Sequence, residues 1–96
     1  MKALKIDEKD NVATALFDIV PNSMVRIIGE NNPEEIEIKV NSRIPMGHKI
    51  ALTDISKGER VIKYGEVIGV ATEYIKKGDW VHTHNLDSVR GKINGK

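Results

Sequence analysis

Two of the three histidines in this 96-residue chain are separated by a single residue and lie close to its only tryptophan. If Trp80 to Asn85 were extended, His82 and His84 would project from one face, because side chains alternate along a strand. Neutral imidazoles bind divalent metals, and imidazoles exchange protons near neutral pH. The segment is therefore a candidate metal or acid–base site, although a His-x-His pair on an exposed strand is often just a solvated edge.

Composition and charge narrow the possible classes of function. A chain of this length forms one domain, near the lower limit for burying a useful core without disulfides or metals. It has no cysteine, which excludes a disulfide framework, a thiolate nucleophile and a thiolate-held metal. Its 15 basic and 14 acidic residues are interspersed and aromatic residues are few, which argues against nucleic-acid binding. With no signal-peptide-like start and no long apolar run, we expect a cytoplasmic protein without a membrane partner.

The first half of the chain contains short apolar segments between turn residues. Residues 3–6 alternate and predict a first strand. Residues 12–20 favour a short helix that Pro21 would end. Residues 24–28 and 35–40 predict a hairpin with one exposed face, since glycine, asparagine and proline lie between them.

The second half contains a repeat with a period of twenty residues. Aligning Gly58 with Gly78 pairs Ala51 with Ala71, Ile55 with Ile75, Lys57 with Lys77, Glu59 with Asp79 and Val61 with Val81. A more diverged copy begins at Ala15 and has Asn22 in place of the glycine. Asparagine is the usual substitute for glycine in a left-handed turn. Each copy predicts a strand, one helical turn around a core isoleucine, a left-handed residue and a second strand.

The repeat also shows which residues the scaffold does not require. Where the last copy has His82 and His84, the middle copy has Ile62 and Tyr64. Because an isoleucine satisfies the scaffold at this position, a histidine there departs from what folding alone needs. This comparison strengthens the functional interpretation of the pair.

Four short motifs follow one another along the chain: GHK at 47–49, KYGE at 63–66, IG at 68–69 and VHTHN at 81–85. Together with residues 10–16, they resemble the SAF-type amino-terminal domain of the altronate and galactarate dehydratase family. The resemblance implies a mainly β, single-domain β-clip fold with short helical turns. We expect this domain to span residues 1–86 and to be followed by a flexible tail at 87–96.

The resemblance also implies an activity. Family members are hydro-lyases that dehydrate an anionic sugar acid to a 2-keto-3-deoxy acid with a divalent metal such as Fe²⁺ or Mn²⁺. The SAF part is either fused to a large catalytic domain or forms a separate small subunit. Because this sequence stops just after the last motif, we expect a small subunit that is inactive without a large catalytic subunit. The small subunit of sulfolactate sulfo-lyase, which eliminates sulfite, has the same build and is an alternative.

Within such an enzyme, His82 and His84 are predicted to be metal ligands or to protonate the departing oxygen. Asn85 would orient an imidazole or bind a substrate hydroxyl. A catalytic metal typically takes about three protein ligands, so a partner would have to supply the rest.

Three further residues are candidates for substrate binding: His48, Lys63 and Tyr64. Lys63 could pair with a substrate carboxylate and Tyr64 could donate a hydrogen bond, although both also suit a turn. His48, taken alone, is more typical of a surface or capping histidine.

Two non-catalytic interpretations are also open. Related β-clip domains bind carbohydrates or assist assembly without turning anything over, which would explain the incomplete catalytic set. In the second interpretation the domain is a structural cap on a large subunit. A cap would keep its function when either histidine of VHTHN is replaced by alanine. The VHTHN motif favours the enzyme, because neither a carbohydrate-binding relative nor a chaperone would need it.

Overall fold

The computed structural model describes residues 1–29 and 36–88, and this part of the chain contains nine strands and no helix. The strands are β1 (Lys2–Leu4), β2 (Val12–Ala15), β3 (Met24–Ile28), β4 (Ile36–Lys39), β5 (Lys49–Ala51), β6 (Arg60–Lys63), β7 (Glu66–Ala71), β8 (Trp80–Val81) and β9 (Leu86–Ser88). The mainly β fold predicted from the sequence is confirmed. The predicted helical turns are wrong, because bends and hydrogen-bonded turns take their places.

The strands form two sheets. The larger has the order β4-β3-β1-β2-β5-β8, in which β1 and β3 are parallel and the other neighbours antiparallel. The smaller sheet is antiparallel, with the order β6-β7-β9. The predicted hairpin corresponds to β3 and β4, which pair Val25 with Ile38.

The helix predicted over residues 12–20 is wrong. Val12–Ala15 forms β2, which pairs with β1 on one side and β5 on the other. Val12, Ala13 and Ala15 are each only 1% exposed, so both faces of this strand are covered. A strand buried on both faces has a continuous apolar sequence, which periodicity cannot distinguish from a short buried helix.

In residues 1–29 and 36–88, the repeat is present as four copies of one local structure. In each copy a bend leads to a fully buried isoleucine, and a residue with positive φ follows three positions later. The isoleucines are Ile19, Ile44, Ile55 and Ile75, and the left-handed residues are Asn22, Gly47, Gly58 and Gly78. The predictions that the isoleucine belongs to the core and that Asn22 is left-handed (φ 70°) are confirmed.

The main chains of these isoleucines pair with one another, and the isoleucines do not lie in helical turns. Ile19 forms an isolated antiparallel bridge with Ile44, and Ile55 forms one with Ile75. In each bridge both N–H groups donate to the opposite carbonyl at 2.8 to 2.9 Å. The copy around Ile44 was missed in the sequence because the alanine that begins the other three copies is replaced there by Val40.

The segment that carries the VHTHN motif is anchored to the core at both ends. The buried apolar residues form two clusters, one around Ile19, Ile44 and Ile50 and the other around Ile55 and Ile75. Trp80 packs against the first cluster and Leu86 against the second. The residues between them are therefore held in place by both halves of the core.

Strand β9 extends beyond the domain boundary expected at residue 86. Leu86, Asp87 and Ser88 pair with Ala71, Val70 and Gly69 of β7, so the first two residues of the predicted tail belong to a sheet. The rest of that tail, residues 89–96, lies outside the described residues. In the described part of the chain, no helix is long and apolar enough to cross a membrane.

Two glycines with the same backbone conformation allow packing to be separated from backbone strain. Gly58 and Gly78 have φ of +90° and +91°, but a Cβ at 58 would meet nothing within 4 Å. A Cβ at 78 would overlap the carbonyl oxygen of Lys39. We expect Gly58→Ala to lower the free energy of unfolding by about 1 to 2 kcal/mol through the left-handed backbone alone. Gly78→Ala should cost about 1 to 3 kcal/mol more, because main chain must move. Urea unfolding of both variants checks this, and equal losses would contradict it.

Candidate functional site

The two histidines of the VHTHN motif lie in a turn. Strand β8 ends at Val81, and the N–H of Asn85 donates to the carbonyl of His82 at 3.0 Å, which closes a turn over residues 82–85. The extended His-x-His strand predicted from the sequence is therefore wrong. The physical reason is Asn85, because an asparagine amide can satisfy nearby main-chain groups that would otherwise join a sheet.

Asn85 holds this turn with both ends of its amide. Its Oδ1 accepts from the N–H of His82 and its Nδ2 donates to the carbonyl of Trp80, each at 2.9 Å. The residue is only 4% exposed. It therefore orients the main chain that carries the histidines. Its predicted contact with an imidazole or a substrate hydroxyl stays a prediction.

All three histidines of the chain gather around Trp80, and we call His48, Trp80, His82 and His84 the histidine–tryptophan cluster. The His82 ring stacks on the indole at 5.2 Å between centroids and 8° between planes, and His84 lies tilted against it at 5.1 Å. His48 lies 4.7 Å from His82, and the Nε1–H of Trp80 donates to its Nδ1 at 3.1 Å. The structure thus brings together histidines that are 34 residues apart in the sequence.

Strand pairing explains how His48 reaches the other two histidines. In the β5–β8 pair, Lys49 lies opposite Val81 and Ile50 opposite Trp80. Continuing this register by one residue places His48 opposite His82. Directly opposed residues of antiparallel strands have neighbouring side chains. The sequence contains His48 within the GHK motif but gives no indication of this register, so its position beside His82 could not be predicted.

A groove with a cavity volume of about 830 Å³ begins at His82. Its lining combines cationic, anionic, hydroxyl and apolar side chains: Lys49, Lys63, Tyr64, Glu66, Val67, Ile68, His82, Thr83, Leu86, Asp87 and Ser88. The substrate-binding candidates Lys63 and Tyr64 therefore lie on the same groove as His82. His48 and His84 belong to the cluster but do not line the groove.

The tip of the β6–β7 hairpin presents Lys63 and Tyr64 to this groove. Tyr64 and Gly65 both have positive φ, 56° and 74°, as a two-residue hairpin loop requires. The Nζ of Lys63 lies 4.8 Å from the centroid of the Tyr64 ring, within the range of a cation–π contact. Lys63 and Tyr64 therefore belong to a turn, as the sequence allowed, and they also line the groove.

Sequence reasoning missed Lys49. It is half-buried on β5 and lines the groove with His82 and Lys63. Burial, followed by the nearby charge of Lys63, lowers the pKa of its ammonium group. Lys49 could have been identified as a candidate from its position directly after His48, because both belong to the GHK motif on which the family resemblance rests.

The surroundings of His82 favour its neutral form. Burial lowers the pKa of His82, and the positive charges of His48, Lys49 and His84 lower it further. At neutral pH the imidazole therefore keeps a free lone pair, which can accept a proton or bind a metal ion. Beside it, Lys49 and Lys63 supply two cationic groups that can bind an anion.

The residues present fit part of a metal site. Within residues 1–29 and 36–88, no group of three or more histidine, cysteine or acidic side chains is arranged to hold a metal ion. His82 offers a neutral imidazole, whereas the Nδ1 of His48 is engaged by Trp80. A metal held by His82 and His84 would therefore need further ligands from outside the described residues.

Comparison with known families shows the family to which the chain belongs. Residues 1–89 match the model of the altronate/galactarate dehydratase SAF domain. The chain belongs to this family. This SAF domain is 41% identical over 85 residues to altronate dehydratase of Escherichia coli, a match that covers 88% of the chain but 16% of the relative. It is 38% identical over 78 residues to galactarate dehydratase (L-threo-forming) of the same organism, covering 81% of the chain and 14% of the relative.

A second kind of relative is short. The SAF domain is 36% identical over 67 residues to the (2R)-sulfolactate sulfo-lyase subunit alpha of Paracoccus pantotrophus. This match covers 70% of the chain and 98% of that subunit. The chain thus spans about a sixth of the altronate dehydratases it matches, but nearly all of this subunit.

Replacing Asn85 tests whether its amide holds the histidine turn. Asn85→Ala removes two hydrogen bonds from buried main chain, so we expect the free energy of unfolding to fall by about 1 to 3 kcal/mol. The near-ultraviolet circular dichroism of Trp80 should weaken, since the turn that fixes the indole is lost.

Asn11→Ala is a matched control for this variant. The Asn11 side chain also makes two hydrogen bonds to main chain, to Arg60 and Ile62, but these brace β6. It should lower stability comparably and leave the Trp80 signal as in the unsubstituted chain. A native Trp80 signal in Asn85→Ala would contradict the role assigned to Asn85.

Proposed function

We propose that this SAF domain is the small subunit of a metal-dependent hydro-lyase that converts an anionic sugar acid into a 2-keto-3-deoxy acid, acting with a large catalytic subunit. The observation that carries the proposal is the placement of a neutral His82 between two other histidines and a groove that contains Lys49 and Lys63. The relatives support the reaction class, because they include an altronate and a galactarate dehydratase. The match to nearly all of a lyase subunit alpha supports a separate chain.

Dehydration next to a carboxylate makes three demands: a base for the proton on the carbon beside the carboxylate, stabilisation of the negative charge that develops, and an acid for the departing hydroxyl. The neutral imidazole of His82 can take the proton. In the reverse role, an imidazolium can give a proton to the hydroxyl, which then leaves as water. Lys49 and Lys63 would bind the carboxylate and stabilise the charge that builds on it.

As the alternative to proton transfer, His82 would hold Fe²⁺ or Mn²⁺ together with His84 and ligands from the large subunit, because a neutral imidazole has one lone pair and cannot serve both roles. When bound, the ion supplies Lewis acidity, which polarises the leaving hydroxyl and stabilises the developing negative charge. Thr83 and Ser88 line the same groove and can bind substrate hydroxyl groups. The large subunit would complete both the ligand set and the substrate site.

A second candidate function is the small subunit of a sulfolactate sulfo-lyase. The observation that favours it is coverage, since the match extends over 98% of one sulfo-lyase subunit alpha and 58% of another, but over 14 to 16% of the dehydratases. One reaction removes a hydroxyl group and the other removes sulfite, in each case from the carbon next to the one that bears the carboxylate. Lys49, Lys63 and His82 could bind either acid. The acid that the complex consumes therefore decides between the two candidate functions.

Native affinity purification with this chain as bait tests both candidates. The eluate is assayed for keto-acid or sulfite production from altronate, galactarate and sulfolactate with added iron or manganese. We expect a large chain to co-purify and one of the three acids to be consumed. In that complex, His82→Ala should lower kcat by about 10² to 10⁴ through loss of proton transfer.

Tyr74→Phe, a change outside the groove, is the control and should keep full activity. His82→Ala with unchanged turnover and unchanged metal content would contradict a catalytic site on this chain and would favour a structural cap. A chain that elutes alone and acts on none of the three acids would favour a non-catalytic binding module.

Lys49 provides a separate test of how the substrate anion is bound. Lys49→Met keeps an unbranched side chain but removes the cation beside His82. We expect KM for the active acid to rise roughly ten- to a hundredfold, the range for a lost hydrogen bond to a charged group. Lys57→Met removes an exposed lysine outside the groove and should leave KM unchanged. Equal KM values for the two variants would show that Lys49 does not bind the substrate.

A further inference from the structure

We propose that Trp80 is a positioning residue that fixes His48 in the tautomer with hydrogen on Nε2, so that His48 acts as a hydrogen-bond donor in the shared site while His82 acts as acceptor or ligand. The catalytic meaning of this assignment rests on the proposed function. The tautomer itself depends only on contacts within the chain. It can therefore be tested independently of any activity.

The tautomer follows from the direction of one hydrogen bond. The Nε1–H of Trp80 lies 3.1 Å from Nδ1 of His48. An indole N–H can only donate, so Nδ1 of His48 must accept and cannot carry a hydrogen. A neutral imidazole has one N–H, which is then on Nε2. His48 therefore offers a donor, and the lone pair on its other nitrogen is already used.

Trp80 can impose this state because the indole is itself fixed. Its main chain pairs with Ile50 in the β5–β8 ladder, and its carbonyl accepts from the amide of Asn85. Its side chain packs against the core cluster around Ile50. The donor is therefore held in place before any ligand arrives.

The same indole also restrains His82. The two rings are nearly parallel, with 8° between their planes, and His48 lies against His82 at 4.7 Å. His48 also lies 5.6 Å from the indole, so the three rings contact one another in pairs, and these contacts restrict rotation of the His82 ring. One tryptophan thus sets the tautomer of His48 and the ring plane of His82.

This arrangement gives the histidines different roles. For His48 to bind a metal, it would have to break its bond to Trp80 or lose the hydrogen on Nε2. His82 and His84 have no such restriction from Trp80, since they contact the indole through their rings. His48 is therefore suited to be a hydrogen-bond donor at the edge of the site, beside His82, and not a metal ligand.

The imidazole nitrogens of the ¹⁵N-labelled chain report the tautomer directly. In long-range ¹H–¹⁵N spectra at about pH 8, where an ordinary imidazole is neutral, His48 should show a protonated Nε2 and an unprotonated Nδ1. A His48 that carries its hydrogen on Nδ1 would overturn the proposal without any substitution being made.

Trp80→Phe keeps an aromatic ring but removes the donor. We expect the population ratio of the two His48 tautomers to fall by up to about tenfold, the equilibrium value of one hydrogen bond. Tyr74→Phe is the control, since it also removes one polar group from an aromatic side chain, the hydroxyl bonded to Asp54. It should leave the His48 nitrogens unchanged. An unchanged His48 spectrum in Trp80→Phe would refute the positioning role.

His48→Ala provides a second variant in case the indole is needed for folding. It should move the indole N–H resonance and speed its exchange with solvent, because its acceptor is gone. An indole signal identical to that of the unsubstituted chain would overturn the assignment. In the active complex, Trp80→Phe should lower kcat/KM about tenfold. A complex inactive on all three acids would refute the proposed function and leave the nitrogen spectra to decide the tautomer.

Discussion

The structure depends on pairing buried isoleucines through isolated main-chain bridges. A chain with no helix in its described residues must satisfy the main-chain polar groups of many short connections, and an unpaired buried group is costly. Each bridge solves this by exchanging two hydrogen bonds while burying two isoleucine side chains completely. Two aspartates complete the arrangement in equivalent positions. Asp18 accepts from the N–H of Met46, and Asp54 accepts from the N–H of Lys77.

These bridges also determine where the functional side chains emerge. Gly47 is the left-handed residue of the second copy, and β5, with His48 just before it, begins directly afterwards. Gly78 has the same place in the fourth copy, and β8 with Trp80 follows it. Because β5 and β8 pair, the first residues after two equivalent turns become neighbours. The histidine–tryptophan cluster is a consequence of the repeat, although the individual residues in it are not.

The sequence predicted the parts of this architecture that depend on local chemistry. Short apolar segments between turn residues indicated short strands, and the Asn22 substitution was recognised because left-handed backbone restricts residue type. The failures arose where tertiary partners decide. The segment from Val12 to Val20 suits a helical face, but pairing with strands on both sides makes its start a strand. The extended His-x-His pair was wrong because one buried amide, that of Asn85, converts the segment into a turn.

The candidate site was predictable to a similar extent. His82 departed from what the repeat required, and Lys63 and Tyr64 belonged to a recognisable hairpin motif. The role of His48 could not be inferred, since it depends on a strand register linking residues 34 positions apart. Lys49 was missed because a lysine side chain is usually exposed, and only the packed structure shows it to be half-buried on the same groove as His82.

The electrostatics of the groove agree with the proposed binding of an anionic substrate. Burial and neighbouring positive charges disfavour the charged forms of Lys49 and His82 and lower the pKa of each. Glu66 and Asp87 also line the groove, and burial is the main influence that lowers the pKa of the Lys49 ammonium group. An anion bound between Lys49 and Lys63 would favour both ammonium groups and reverse the penalty on Lys49. A carboxylate-bearing substrate, the ligand class proposed for this domain, would supply such an anion.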